Sequence, residues 1–398
     1  MNVTHILNKT LSFVTPNMHL KRKESLAASL TSIIQGNAAN VTSIGRGIKS
    51  STKEKHNIKR ADRLLSNVHL HSEIVSIYQA LAKLTVGQCQ RPIILVDWSD
   101  LDEYKRHFLI RATLASHGRG LCIYEEVHSI DTKEKPVTHK HFLEQLKRIL
   151  PTHCKPIIVT DAGFKCPWFR SVLALGWDFV GRVRLPNFYT LDGQDWKNIT
   201  QLYSKATSCP KSYSGTITRS NPLDCQIVIF KEKPKGRKAL NRSGKPKQSK
   251  HAKVHIKSAR DPWLLSTSLP QCNQLARRLV KIYRLRMQVE EGFRDMKSYQ
   301  YGQGFECNKT KKIRRLSVLV LLTTLAHWIL MNLGMMAKLT NKHRQYQANS
   351  IKTSNVLSLH FIGKRVAIDK YFILGLKDYL LAIKHFQLTN EVLVNELI

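Results

Sequence analysis

The chain has 398 residues, of which 64 are Lys or Arg and 28 are Asp or Glu, a formal net charge of +36. That load is out of place in a small-metabolite enzyme, because self-repulsion opposes compaction unless a polyanion relieves it, and nucleic acid is the default partner. Residues that build cores make up 42% of the chain, which excludes general disorder. The eight cysteines form no C-x-x-C pair and do not cluster, so neither a zinc pattern nor a disulfide framework is present. The first residues, MNVTHILNKT, lack a charged segment followed by an apolar run, so no signal peptide is expected.

Residues 1–90 are expected to be helical. Apolar positions recur at helical spacing in SLAASLTSIIQG and in SEIVSIYQALAKL. The stretch Ser51–His71 between them carries Lys53, Lys55, Lys59, Arg60 and Arg63 beside few acids, and reads as a DNA-contacting helix face. From residue 92 the texture changes. PIILVDW, HFLIRATLA and GLCIYEEV predict three strands, HKHFLEQLKRIL a helix, PIIVTDAGF a buried strand, PWFRSVLALG a helix and WDFVGRVRL a strand. Strands in series followed by alternating helix and strand predict an α/β core with a mixed sheet. Residues 186–275 read as a β-rich insertion, with SYSGTITRS, CQIVIF and PWLLSTSL around a basic loop. That loop, Lys231–Lys257, holds eleven Lys or Arg and one acid, Glu232. Beyond 275 the pattern is helical to the end. The run Leu316–Met336 is long enough to span a bilayer, but it contains Ser317, Thr323, Thr324, His327 and Asn332, and is expected to be a buried core helix.

Walker A, H-E-x-x-H and G-x-S-x-G sequences are absent. What remains is carboxylates at predicted strand ends. Asp97 follows IILV and Asp161 follows IIVT, where hard oxygen ligands can hold a cation, although Asp also starts turns. The segment Leu279–Met296 reads as one helix. At about 100° per residue, Tyr283, Arg286, Glu290 and Lys297 share a stripe about 60° wide. Ile282, Leu285, Val289, Phe293 and Met296 form an adjoining apolar stripe. Glu291 and Asp295 fall away from both, so the helix phase selects Glu290 as the carboxylate at the edge of the core.

The spacing Tyr283-x2-Arg286-x3-Glu290-x6-Lys297 resembles the Y-R-E-K signature of bacterial transposases of insertion-sequence family four, which includes those of transposons ten and five. YRLRMQVEEGFRDMK looks most like the transposon-ten version, as do KHNIKRADRLL, ILVDWSD around Asp97 and DAGFKCPWFRSV around Asp161. The likeness runs from about residue 20 to beyond 350. It implies a ribonuclease-H-like catalytic core over 91–310, interrupted by the β-rich insertion, between an N-terminal helical DNA-end-binding domain over 1–90 and a C-terminal helical region over 311–398 serving dimerisation. It further implies a D-D-E metal triad of Asp97, Asp161 and Glu290 holding two Mg²⁺ ions, with Mn²⁺ as a substitute. Tyr283, Arg286 and Lys297 would then bind phosphate near the transposon end, with Lys59, Arg60 and Arg63 adding phosphate contacts. In the transposon-five relative the tryptophan of a similar W-L-L-x-T segment stacks on a flipped base, which implies that role for Trp263. By periodicity alone Trp263 is a strand residue of the core. The activity implied is cut-and-paste transposition on double-stranded DNA by a homodimer, in the bacterial cytoplasm at the nucleoid and without a membrane. A metal-dependent nuclease without strand transfer and a silent DNA-binding repressor stand as alternatives.

Overall fold

A computed structural model describes residues 3–191, 193, 195–232, 245–246, 249, 261–351, 354–373 and 375–398. The chain divides into two units, one built from Met1–Pro156 with Met287–Glu396 and the other from Ile157–Arg286 with Leu397–Ile398.

The first unit begins with five helices, Val3–Val14, Leu20–Ile34, Val41–Gly47, Glu54–Leu65 and Val68–Val86, as the helical spacing requires. Two of them start at asparagine caps. The Asn40 side chain accepts from the Ser43 N–H at 2.9 Å and that of Asn67 from the Leu70 N–H at 2.8 Å. An antiparallel meander follows, with β1 at Ile93–Asp100, β2 at His107–Leu114 and β3 at Leu121–Ser129. Asp97 therefore lies inside β1, opposite Arg111 of β2, and not at the strand's end as the sequence suggested. The reason is that WSD continues the strand: Trp98, Ser99 and Asp100 all keep register with β2.

The run of apolar residues forms the helix Ile313–Leu339, and 94% of its most apolar window is buried inside the unit, so it is a core helix. Its polar side chains are placed within the protein. Ser317 Oγ donates to the Ile313 carbonyl at 3.0 Å, Thr323 Oγ1 to the Val320 carbonyl at 2.7 Å and Asn332 Nδ2 to the Trp328 carbonyl at 2.8 Å. Thr324 donates to Glu125. The helix Leu359–Ile368 crosses it at two glycines. A Cβ on Gly334 would stand 2.0 Å from the Leu359 carbonyl oxygen, and one on Gly363 1.9 Å from that of Leu330. The backbones touch there, and any larger residue would force them apart.

The second unit carries a mixed sheet in the order β4-β5-β10-β9-β8-β6-β7. Its strands are β4 at Ile157–Thr160, β5 at Asp178–Val183, β6 at Phe188–Thr190, β7 at Lys197–Asn198, β8 at Lys211–Ile217, β9 at Leu223–Phe230 and β10 at Trp263–Thr267. β4 and β5 run parallel, joined through the helix Cys166–Ala174, and the remaining pairs are antiparallel. The sequence reading missed β6 and β7, which are too short to show a period. Most of the basic loop Lys231–Lys257 lies outside the described residues.

The single helix expected over Leu279–Met296 is two helices, Leu275–Arg284 and Met287–Lys297, with Leu285 and Arg286 in a turn between them. A continuous helical phase thus relates Glu290 to Lys297, but not Tyr283 to Glu290. Four of the five residues of the apolar stripe, Ile282, Val289, Phe293 and Met296, are buried, whereas Leu285, in the turn, is half-buried. Asp295 departs from expectation. It is 5% exposed rather than solvated, because the helix that carries it is covered on two sides.

Candidate active site and nucleic-acid surface

In the first unit, the face of β1 that carries Asp97 also carries Ser99, two residues on. The helix Met287–Lys297 packs against β1 and β2. Its approach is close: a Cβ on Gly292 would stand 3.3 Å from Arg111 Nη1. Lys297 Nζ donates to Ser99 Oγ at 2.7 Å and lies 3.4 Å from Asp100 Oδ1. Burial pulls the Lys297 ammonium below its usual range, and Asp100 pushes it back up. Glu290 is seven residues earlier, on the same helix face as Lys297 to within about 20°. It is exposed and sits in the helix's first turn, where the N-terminal dipole favours a carboxylate. Glu291, beside it, turns to Arg119 and forms an ion pair.

Asp97 itself is half-buried, and beneath its strand lies a buried ion pair. Arg111 Nε donates to Glu125 Oε2 at 2.6 Å, and the guanidinium lies 4.7 Å over the Phe293 ring and 3.1 Å from Met296 Sδ. Phe293 and Met296 belong to the Glu290 helix, so Arg111 links that helix to the strand next to β1. On the opposite face, Trp98 Nε1 donates to His139 Nε2 at 3.1 Å, with the Trp98 ring edge-on to His128 at 5.4 Å. Trp98 is thus packed between two histidines.

In the second unit, Asp161 is the first residue after β4 and is half-buried. Its Oδ1 accepts from the Gly163 N–H at 2.8 Å, which turns the chain toward the helix Cys166–Ala174 and fixes the carboxylate. Tyr283 is 5% exposed at the end of the helix Leu275–Arg284. Burial raises its phenol above the ordinary range, Arg286 and Arg182 pull it down, and the Asp161 carboxylate pushes it up. These influences place Tyr283, Arg286, Arg182 and Asp161 in one neighbourhood. Arg286 lies 5.8 Å from the Tyr283 ring centre. Arg182 is held mainly by burial, which lowers its guanidinium, against the Tyr283 and Tyr203 phenols. Arg182 and Arg184 were not singled out from the sequence. The alternation in GRVRL was the available signal, since it sets both on one face of β5 as the strand ends.

Trp263 opens β10 and is half-exposed. Its ring meets Tyr283 edge-to-face at 5.0 Å and Phe230 at 5.7 Å. The strand expectation holds, and the half-exposed ring stands in the same neighbourhood as Tyr283.

Of the N-terminal basic residues, Lys59 and Arg63 are exposed one turn apart on the helix Glu54–Leu65. Arg60 differs: it is half-buried, and its Nε donates to Ser25 Oγ at 3.0 Å, so it ties two helices together. A second basic surface was missed in the sequence. An open groove of about 1110 Å³ in the first unit is lined by Lys309, Lys311, Lys312, Arg314 and Arg315 and by the start of the helix Val68–Val86. Arg315 is engaged with Asp62 at 2.5 Å, while Lys309, Lys311, Lys312 and Arg314 are exposed. The signal was the run K-T-K-K-I-R-R, which leads into the first turn of the buried helix. Lysines beside helix N-termini suit phosphate.

Comparison with curated proteins finds no match. A family model does match. Residues 88–329, well over half of the chain, fit the family described as the Transposase DDE domain. The span contains Asp97, Asp161 and Glu290 together with Trp263, Tyr283, Arg286 and Lys297, and the chain therefore belongs to the DDE transposase family.

Proposed function

We propose that this DDE transposase is a cut-and-paste enzyme of the insertion-sequence-four type, which cleaves at the ends of its own element and joins them to target DNA. The observation that carries the reading is the family match over residues 88–329, a span that includes Asp97, Asp161 and the Y-R-E-K spacing around Glu290. Asp97, Asp161 and Glu290 would together hold the divalent ions. Their donors fit: all three offer carboxylate oxygens, two from half-buried positions on or next to strands and one from an exposed first helical turn, and hard oxygen donors select Mg²⁺ or Mn²⁺. Two such ions supply charge stabilisation at the attacking and leaving oxygens of an in-line phosphodiester displacement.

The chain's own groups would do the rest. Arg286 binds a phosphate in bidentate fashion, with Arg182 and Arg184 adding positive charge beside it. Tyr283 donates to a phosphate oxygen, and its raised phenol keeps that proton in place at neutral pH. Lys297, fixed on Ser99, serves as a point charge. Trp263 receives a base unstacked when the strand bends into a hairpin. Lys59, Arg63 and the Lys309–Arg314 groove grip the backbone without reading sequence. The core would be ribonuclease-H-like, the protein cytoplasmic and nucleoid-associated, and the working form a homodimer holding two inverted-repeat ends.

The test uses full-length protein, labelled element ends taken from DNA flanking the gene, and a target plasmid. Asp97→Asn, Asp161→Asn and Glu290→Gln should each abolish cleavage and retain end binding in a gel shift, whereas Glu291→Gln should cut at near the wild-type rate. Joined products separate a transposase from a nuclease. Wild-type cutting without joining would overturn the proposal, and so would a dispensable Glu290.

A further inference from the structure

We propose that Asp295, His327 and His360 form a second metal site, for one structural transition-metal ion of the zinc class, distinct from the catalytic carboxylates. The three residues come from three helices of the first unit, Met287–Lys297, Ile313–Leu339 and Leu359–Ile368. Each offers one ligand atom, and the three atoms lie within 4.8 Å of one another. All three side chains are more than nine-tenths buried, at 5%, 9% and 1% exposure.

What marks the cluster as a binding site is unspent hydrogen-bonding capacity. Neither His360 ring nitrogen has a hydrogen-bond partner, its Nδ1 lying 3.8 Å from Asp295 Oδ2, and Gln303 Oε1 is likewise without one. A buried polar group left without a partner loses its hydration with nothing in return. His327 is already oriented by a backbone hydrogen bond to Gly120, the kind of contact that fixes a ligating imidazole from behind. Its other nitrogen then presents a lone pair. A carboxylate oxygen and an imidazole lone pair converge beside a second imidazole, and a cation can satisfy all of them at once. A single water has only two protons to donate.

The donor chemistry chooses the ion. Asp295 and Glu291 carry two negative charges, and Arg119, Arg294 and Lys364 stand against them, so the pocket holds no surplus of negative charge. Mg²⁺ and Ca²⁺ call for several anionic oxygens, whereas two neutral imidazoles and one carboxylate suit Zn²⁺. Arg119 Nε, 3.0 Å from Asp295 Oδ2, holds the carboxylate from outside. Gln303 borders the same small cavity as His327. Asp295 is five residues beyond Glu290 on one helix, so the ion would clamp that helix to the two that cross at Gly334 and Gly363.

The inference does not depend on the transposition reading, and its test bypasses activity. Full-length protein with Asp97→Asn, Asp161→Asn and Glu290→Gln combined removes the catalytic ligands. It is purified without chelator, or refolded with one equivalent of Zn²⁺, and its metal content is measured by elemental analysis. The expected result is about one zinc per chain, with imidazole scattering in the zinc X-ray absorption spectrum. His327→Ala and His360→Ala should each lower occupancy at least tenfold. Because either variant could fail to fold, the absorption spectrum of the parent protein stands as an independent readout. Less than a tenth of an equivalent of metal in the refolded parent, a spectrum without imidazole ligands, or undiminished zinc in folded histidine variants would each overturn the proposal.

Discussion

Replacing Arg111 by Met should be among the costliest single changes in the first unit. Glu125 is 4% exposed and takes hydrogen bonds from Arg111 at 2.6 Å, from the Tyr78 hydroxyl at 3.2 Å and from Thr324. Without the guanidinium, the carboxylate keeps two hydroxyl donors but loses its counter-charge. Breaking a buried pair in this way costs about 3–5 kcal/mol. The same change removes the stack on Phe293 and the contact with Met296, which hold the Glu290 helix to the sheet. Arg111→Met/Glu125→Gln should recover about half of the loss or more, because the charge goes while an amide oxygen still accepts from Tyr78 and Thr324. Native-state hydrogen exchange on the β1–β3 amides is the suitable assay, since two units need not unfold together. Cleavage by Arg111→Met should fall on the order of tenfold to a hundredfold through displacement of Asp97 and Glu290. A stability loss below about 1 kcal/mol would refute the reasoning, as would a double variant weaker than the single one.

Binding of element ends should weaken steeply with salt, and Lys59→Gln/Arg63→Gln should reduce the log–log slope by about two units, at about 0.9 per phosphate contact. Arg60→Ala should instead lower the melting temperature with little change in slope, because its guanidinium is committed to Ser25. Trp263→Ala should keep the first nick and lose hairpin product on a denaturing gel, with Trp263→Phe restoring part of it, as stacking returns about 1–3 kcal/mol. Normal hairpin yield in a folded Ala variant would remove the stacking role. His139 gives a pH signature. Burial, partly opposed by Glu134 and reinforced by His128, lowers its imidazole to about 4. Its neutral form accepts the Trp98 indole proton. In the unfolded chain the imidazole is protonated from solvent near pH 6.5, so the stabilisation is complete above that value and is lost as pH falls toward 4, by about 2 kcal/mol at pH 5. Thermal melts at pH 7 and pH 5 should show a smaller pH-dependent drop in His139→Phe than in the wild type.

The chemistry-bearing residue types and most of the elements follow from the sequence. Alternation and apolar runs specify β1 to β5 and β8 to β10, and helical spacing specifies the N-terminal helices, because each of these signals is local. That Glu290 and Lys297 share a helix face also follows, since only seven residues of continuous helix separate them. The break at Leu285–Arg286 was not legible. Both residues are ordinary helix formers without Gly or Pro, and their turn belongs to the point where the chain passes from one unit to the other. The same limit hid Asp295. A helical wheel assigns one buried side, whereas this helix is covered by the sheet on one side and by core helices on the other. Arg60 and Arg63 read alike as basic residues of one helix, and only the position of Ser25, 35 residues away in sequence, commits one of them to structure. His327 and His360 likewise stand in segments with no motif. They meet at a ring separation of 4.8 Å because Gly334 and Gly363 let two helix backbones touch, a long-range contact that no local pattern encodes.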